Sequence, residues 1–120
     1  MGAAKSFRDL LVWQKAHALV LDVYKCTGLF PESEKFILVN QMRRAAISIP
    51  ANIAEGFKKK SKKDKLNYFN VAQGSLEELK YFLVLARDLG YMEGNELAHS
   101  AEEVSRLLEA YSRTIRNSDY

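Results

Sequence analysis

The sequence is poor in the residues that cross-link or interrupt a chain. Its 120 residues include one cysteine, two prolines and six glycines. A lone cysteine cannot form an internal disulfide, which fits a reducing compartment, so we expect a cytoplasmic protein. No apolar run approaches the roughly 18 residues of a membrane span, and the polar start has no apolar stretch of a signal peptide. Membrane and secreted classes are therefore not expected.

The chain also has little of what catalytic sites are made of. Of the two histidines, His17 is interpreted as a core or interface residue and His99 as a solvated one. Glu96 precedes His99 by three residues, but a di-iron bundle needs that spacing on two helices. Cys26 has no activating cation or base placed by the sequence. With no phosphate loop, metal-ligand cluster or nucleophile elbow, we predict a non-enzymatic protein without metal or cofactor.

What is abundant is helix-forming sequence with apolar residues at helical spacing. The pattern is broken by turn residues near Gly28, Pro31 and Gly90, and Ser61 is placed to cap a helix. Short connections make consecutive helices antiparallel neighbours, so the fold class is all-α, an antiparallel up-down-up-down four-helix bundle. One domain, 1–120, is expected, with residues 1–8 flexible and helices at about 9–27, 33–57, 62–89 and 95–116.

Two helix-breaking residues fall inside the predicted helices. Pro50 lies within the second, where it removes a hydrogen bond and clashes with the carbonyl of Ala46. Either the helix kinks there or a new helix begins at Pro50; the continuous periodicity favours the kink. Gly74 lies within the third helix at a cost of about 1 kcal/mol relative to alanine. Such a glycine usually permits close approach by a neighbouring backbone.

The helices differ in how much of their surface is apolar. The fourth has one apolar stripe, whereas the first and third carry extra apolar residues, Leu11 and Leu21 on one and Tyr81 and Val84 on the other. A helix that is apolar on two sides should be buried on two sides. This favours self-association over the alternative of a merely apolar surface.

The positive charge is concentrated in one segment. Residues 43–65 carry eight basic groups against Glu55 and Asp64, although the whole chain has a net charge of only +3. Such a cluster attracts polyanions by neutralising phosphates and releasing counterions. The alternative is a solvated connector. The candidate nucleic-acid-binding residues are Arg43, Arg44, Lys58, Lys59, Lys60, Lys62, Lys63 and Lys65. Because the surroundings are rich in lysine and poor in aromatic residues, backbone contact is favoured over base recognition.

A second constellation surrounds Pro50. Asn52 and Glu55 lie one turn apart, and Ser75 and Glu78 occupy the middle of the third helix, which packs against the second. We interpret these four residues as a buried polar network that fixes helix register, with Arg44 as a further candidate member. A ligand site is the weaker alternative.

These residues also carry a family resemblance. The segments FRDLLVWQKA at 7–16, FPESE at 30–34, QMRRAAISIPANIAEG at 41–56 and GSLEEL at 74–79 resemble the bacterial four-helix-bundle proteins encoded in intervening sequences of 23S rRNA genes. The resemblance covers nearly the whole chain. It implies an antiparallel bundle and a ring-like homopentamer. The similar accessory variability protein of diversity-generating retroelements is thought to bind nucleic acid and a reverse transcriptase through a basic surface.

The hypothesis that follows is a homo-oligomer that contacts RNA or DNA phosphates through its lysine cluster, with RNA slightly preferred. The competing hypothesis is an oligomeric scaffold or adaptor whose partner is another protein and whose lysines are incidental. An enzyme ranks third.

Overall fold

The computed structural model describes residues 3–118, which fold into four α-helices and no strand. The helices are α1 (Leu11–Thr27), α2 (Leu38–Lys58), α3 (Lys62–Asp88) and α4 (Glu96–Arg116). Each helix packs against the next, and α1 also packs against α4. The result is a bundle of about 50 × 23 × 20 Å, which confirms the predicted four-helix bundle.

The bundle has two ends, which we call the lower end and the upper end. The lower end holds the start of α1, the link between α2 and α3, and the end of α4. The upper end holds the α1–α2 and α3–α4 connections. In the core between them, all four helices contribute apolar side chains that are almost completely buried: Val23, Met42, Ile49, Ile53, Phe69, Leu76, Leu79, Val104 and Leu108.

The α2 helix begins later than the sequence predicts. A single 3₁₀ turn, Glu32–Glu34, follows Pro31, and α2 starts only at Leu38. The N-cap residue Ile37 has no side chain that could accept a hydrogen bond from the first turn, and its backbone is neither helical nor extended. The delayed start leaves Phe36 82% and Ile37 65% exposed at the upper end.

The link between α2 and α3 is shorter than predicted. The α2 helix ends at Lys58, one residue later than predicted, so only residues 59–61 separate the helices. Ser61 caps α3 as expected, because its hydroxyl accepts a hydrogen bond of 3.1 Å from the Asp64 backbone N–H. Such a short link fixes the two helix ends relative to each other.

The segment before α1 contains structure where flexibility was predicted. Phe7–Asp9 form a 3₁₀ turn that Ser6 and Asp9 close with a reciprocal capping box. The Phe7 ring packs edge-on against Trp13, with 4.9 Å between ring centres. This side-chain contact anchors the turn on α1. Met1 and Gly2, the first residues of the predicted flexible segment, lie outside the described residues.

Pro50 lies within an unbroken α2. The helix runs through it from Leu38 to Lys58, and the proline itself is buried. The alternative of a new helix starting at Pro50 is therefore not observed. The kink at Pro50 stays a prediction.

Candidate nucleic-acid interface

The lower end of the bundle collects basic side chains from several elements. The α2–α3 link meets the turn before α1 and the last turn of α4 there. Basic residues outnumber acidic ones in this region. The basic residues are Lys5, Arg8, Lys58, Lys59, Lys60, Lys62, Lys63, Lys65, Arg113 and Arg116. The acidic residues are Asp9, Glu55, Asp64 and Glu109.

Two of the predicted lysines donate hydrogen bonds to carbonyl oxygens at the C-terminal ends of helices. Lys65 donates to the carbonyl oxygen of Phe57 at 2.6 Å and approaches that of Gly56 at 3.5 Å, so it caps the end of α2. Burial lowers the pKa of its ammonium group. Lys62 donates to the carbonyl oxygens of Arg116, at 3.3 Å, and Ser118, beyond the end of α4. A cation at a helix C-terminus also complements the helix dipole.

The other four lysines of the cluster are exposed. Lys58, Lys60 and Lys63 extend from the α2–α3 junction towards solvent. Lys59 lies over the ring of Tyr68, with its Nζ 5.2 Å from the ring centre. An aromatic ring therefore lies against the lysine cluster, although the sequence around the cluster is poor in aromatic residues. These four side chains form the surface that an anion can reach, and we call them the lysine end.

Arg43 and Arg44 lie apart from this surface, and their contact with a nucleic acid stays a prediction. Arg43 lies near the upper end, where its Nε donates to Thr27 Oγ1 at 2.9 Å and its guanidinium stacks 4.4 Å from the Tyr24 ring centre. At 1.5 Å of rise per residue, the helix separates both arginines from Lys58 by about 20 Å. Arg43 therefore holds the end of α1.

The predicted polar network exists in a smaller form. The hydroxyl groups of Ser48 and Ser75 are 2.8 Å apart across the α2–α3 contact. The Asn52 amide donates to the Ser48 carbonyl oxygen at 2.8 Å and to its hydroxyl at 3.0 Å. Glu55 and Glu78 are exposed, so their inclusion in a buried network was wrong. Ser48, not a carboxylate, joins the two helices.

Arg44 and Glu78 line a shallow polar groove just outside this network, with a volume of about 250 Å³. Gln73, which lies close to the network in sequence, points the other way. Its amide donates to the Ser105 carbonyl oxygen of α4 at 3.0 Å. The polar residues of α3 therefore fix its contacts with both α2 and α4.

Comparison with known proteins agrees with this architecture. The family described as 23S rRNA-intervening sequence protein matches residues 8–110. The chain belongs to this family. A crystal structure of a protein with unknown function from the S23 ribosomal protein family of Bacteroides thetaiotaomicron VPI-5482 is similar, with a TM-score of 0.79 and 25% sequence identity. The match covers 87% of this chain and 100% of that one. A comparison with curated proteins finds no match.

The surroundings of the cysteine and of His17 are also defined. Burial raises the pKa of the Cys26 thiol, which is the opposite of nucleophile activation. His17 is exposed and stacks on Trp13, with 5.0 Å between ring centres. Within residues 3–118, no three His, Cys, Asp or Glu side chains lie close enough to hold a metal ion. No helix of that range is long and apolar enough to cross a membrane. Neither the family nor the similar structure carries an enzymatic description.

Proposed function

We propose that this protein is a non-enzymatic homo-oligomer that binds the phosphate backbone of a nucleic acid, preferably structured RNA, through its lysine end. The observation that carries the proposal is the set of four exposed lysines at one end of the bundle. The family name, which refers to an intervening sequence of 23S rRNA, supports an RNA context. The family resemblance supports an assembly of five copies.

The chemistry of the lysine end suits phosphates better than bases. A lysine ammonium is a compact point charge without the planar geometry that arginine uses to recognise a base edge. Each lysine that neutralises a phosphate releases a condensed counterion, which makes binding favourable and dependent on salt. We therefore expect little dependence on nucleotide sequence.

The packing around the cluster argues against a merely solvated loop. Lys62 and Lys65 tie the link to the ends of α4 and α2. Because only residues 59–61 separate the helices, the exposed lysines are carried on a short, fixed segment. In a homo-oligomer this arrangement repeats once per copy. Several weak patches can then bind one polyanion as a multivalent surface.

A salt series tests the proposal directly. We would measure binding of structured RNA and of duplex DNA by wild-type protein and by the variant Lys58→Gln/Lys60→Gln/Lys63→Gln. This variant leaves both capping lysines intact, so the fold should be retained. We expect weaker binding and a shallower salt dependence. For each phosphate that the variant no longer neutralises, the slope should fall by about 0.7 to 0.9 log units per log unit of salt.

The matched control removes the same charge elsewhere. Lys35→Gln/Arg87→Gln/Arg106→Gln changes three exposed basic residues of the upper end and of α4. This variant should bind almost as well as wild type. If both triple variants weaken binding equally, the attraction is general and the assignment to the lysine end is wrong. The assignment is also wrong if the wild-type protein shows no salt-sensitive binding.

A scaffold or adaptor for a protein partner is the second candidate function. The exposed Phe36 and Ile37 at the upper end favour it, because such side chains are common in protein-binding surfaces. This candidate gains support if the wild-type protein binds neither nucleic acid in the salt series.

A further inference from the structure

The exposed apolar side chains of this protein are not scattered evenly. Among residues 3–118, all of the large ones except Phe36, Ile37 and Ile47 lie on α1 or α3, or just beyond their upper ends. No large apolar residue of α4 is among them. The group consists of Leu11, Leu21, Tyr24, Leu29, Val71, Tyr81, Val84 and Leu89, with exposed fractions from 40% to 86%.

The outer faces of α1 and α3 have the same spacing. On α1 the residues alternate by three and four positions, and the same steps recur on α3. Alternating steps of three and four mark a helix face that packs along another helix. We call these sets the α1 outer stripe, which is Leu11, Gln14, Ala18, Leu21 and Lys25, and the α3 outer stripe, which is Val71, Gly74, Glu78, Tyr81 and Leu85.

Gly74 has no packing role within its own chain. It is exposed, and a Cβ atom added to it would meet no atom within 4 Å. A glycine in a helix interior costs about 1 kcal/mol relative to alanine, so this position has a cost without an internal benefit. A benefit arises if a helix of another molecule approaches the backbone there.

The two stripes lie at the same level of the bundle. Lys15 of α1 contacts Glu103 of α4 at 3.8 Å. Gln73 of α3 contacts Ser105, two residues further along α4, at 3.0 Å. Residues 14 and 74 are thus at nearly equal heights. A copy rotated about an axis parallel to the bundle, without sliding along it, would place each α1 stripe residue opposite the α3 stripe residue 60 positions later.

This register pairs residues of compatible size. Leu11 meets Val71, and Leu21 meets Tyr81. Gln14, the one uncharged polar residue of the α1 outer stripe, falls opposite Gly74. With no side chain there, Gln14 has room to keep its hydrogen bond to the Arg8 carbonyl oxygen at 2.8 Å.

The charges favour contact between different helices over contact between identical ones. The α3 face carries Glu78 and, one turn beyond Leu85, Asp88. The α1 face carries Lys15 and Lys25 against one acid, Asp22, so it is net positive where the α3 face is net negative. Antiparallel pairing of two α3 outer stripes about their middle residue would bring Glu78 against Glu78. In the α1–α3 register, Lys15 comes within about one turn of Glu78, and Lys25 of Asp88.

We propose that the α1 outer stripe of one copy packs in parallel against the α3 outer stripe of the next copy. The proposal rests on the homo-oligomer in the proposed function and assigns its interface. Such an interface is heterologous, since each copy offers two different faces and both can be used at once. Assembly therefore continues from copy to copy until it closes.

Light scattering over a concentration series tests the interface, with circular dichroism to confirm folding. We expect the variants Gly74→Gln and Leu21→Gln to shift dissociation to at least about tenfold higher protein concentration, a change of about 1.4 kcal/mol. Ile47→Gln is the matched control, because Ile47 is 44% exposed on α2, away from both stripes. It should assemble like wild type.

Mixing two defective proteins gives the sharpest test. Leu21→Gln/Lys25→Glu damages only the α1 stripe, and Gly74→Gln/Tyr81→Gln damages only the α3 stripe. Each alone should be monomeric. An equimolar mixture should form a 1:1 dimer that grows no further, because one intact α1 stripe and one intact α3 stripe remain.

The outcomes separate the two proposals. Failure of the mixture to form the dimer, or assembly of both variants like wild type, would overturn the α1–α3 interface and leave a homo-oligomer standing. A wild-type protein that stays monomeric at all concentrations would remove the homo-oligomer and the interface together. The salt series reports on the lysine end in either case.

Discussion

Two glycines, one packed against the inner side of α3 and one on its outer side, have very different surroundings. On the inner side, Gly56 of α2 lies where an added Cβ would come within 2.6 Å of the Phe69 ring. On the outer side, Gly74 has open space around it. Packing within the chain explains the first glycine completely and the second not at all. The comparison therefore separates the contacts that the chain makes by itself from those that require another molecule.

The largest expected effect is at the inner side. Gly56→Ala forces the Phe69 ring and the Tyr68 Cβ apart from α2, since both lie closer than real Cβ contacts allow. Overpacking of this kind costs about 1 to 3 kcal/mol, although alanine recovers about 1 kcal/mol of helix propensity. We expect a lower urea midpoint with an unchanged slope. An unchanged or higher midpoint would show that the ring moves aside freely.

The matched change on the outer side should have the opposite sign. Gly74→Ala meets no neighbour in the chain and gains helix propensity, so the free energy of unfolding should rise by about 0.5 to 1 kcal/mol. Because assembly itself adds stability, the measurement belongs in the Leu21→Gln background, where the proposed interface is weakened. A decrease in this background would mean that α3 needs Gly74 for its own conformation.

Much of the fold could be predicted because it depends on local pattern. Apolar spacing located all four helices, and Ser61 identified the start of α3 through its own hydroxyl. The extra apolar residues of α1 and α3 were also visible, since exposure follows from position on a helix face. The late start of α2 was not predictable, because the acidic first turn after Pro31 suits either an α-helix or a 3₁₀ turn.

The site was harder to predict because its contacts join residues distant in sequence. Lys62 caps α4 through the carbonyl oxygen of Arg116, a partner 54 positions away. Arg43 was grouped with the lysines by sequence proximity, yet α2 carries it to Thr27 near the opposite end. Ser48 bonds Ser75 only because of the register in which α2 meets α3. Composition indicated the lysine end, but only packing showed which lysines are exposed.

The smallest expected effect lies where α3 meets α4. Lys80 Nζ is 2.8 Å from Glu102 and 3.4 Å from Glu77. The hydrogen bond from Lys80 and its charge lower the pKa of the Glu102 carboxyl. Partial burial lowers the pKa of Lys80, but its bonds to Glu102 and the nearby carboxylate charges outweigh this and raise it.

The sign of the pH dependence follows from the lowered pKa of Glu102. Its contribution to stability is present above the unfolded pKa of about 4.3 and is lost as pH falls through the folded value. We expect Glu102→Gln to flatten the acid side of a urea-midpoint series between about pH 3 and 6. Glu103→Gln, whose carboxylate lies 3.8 Å from Lys15, is the neighbouring control. If Glu102→Gln loses stability with acid as wild type does, the ion pair between Lys80 and Glu102 does not contribute to the pH dependence of the α3–α4 contact.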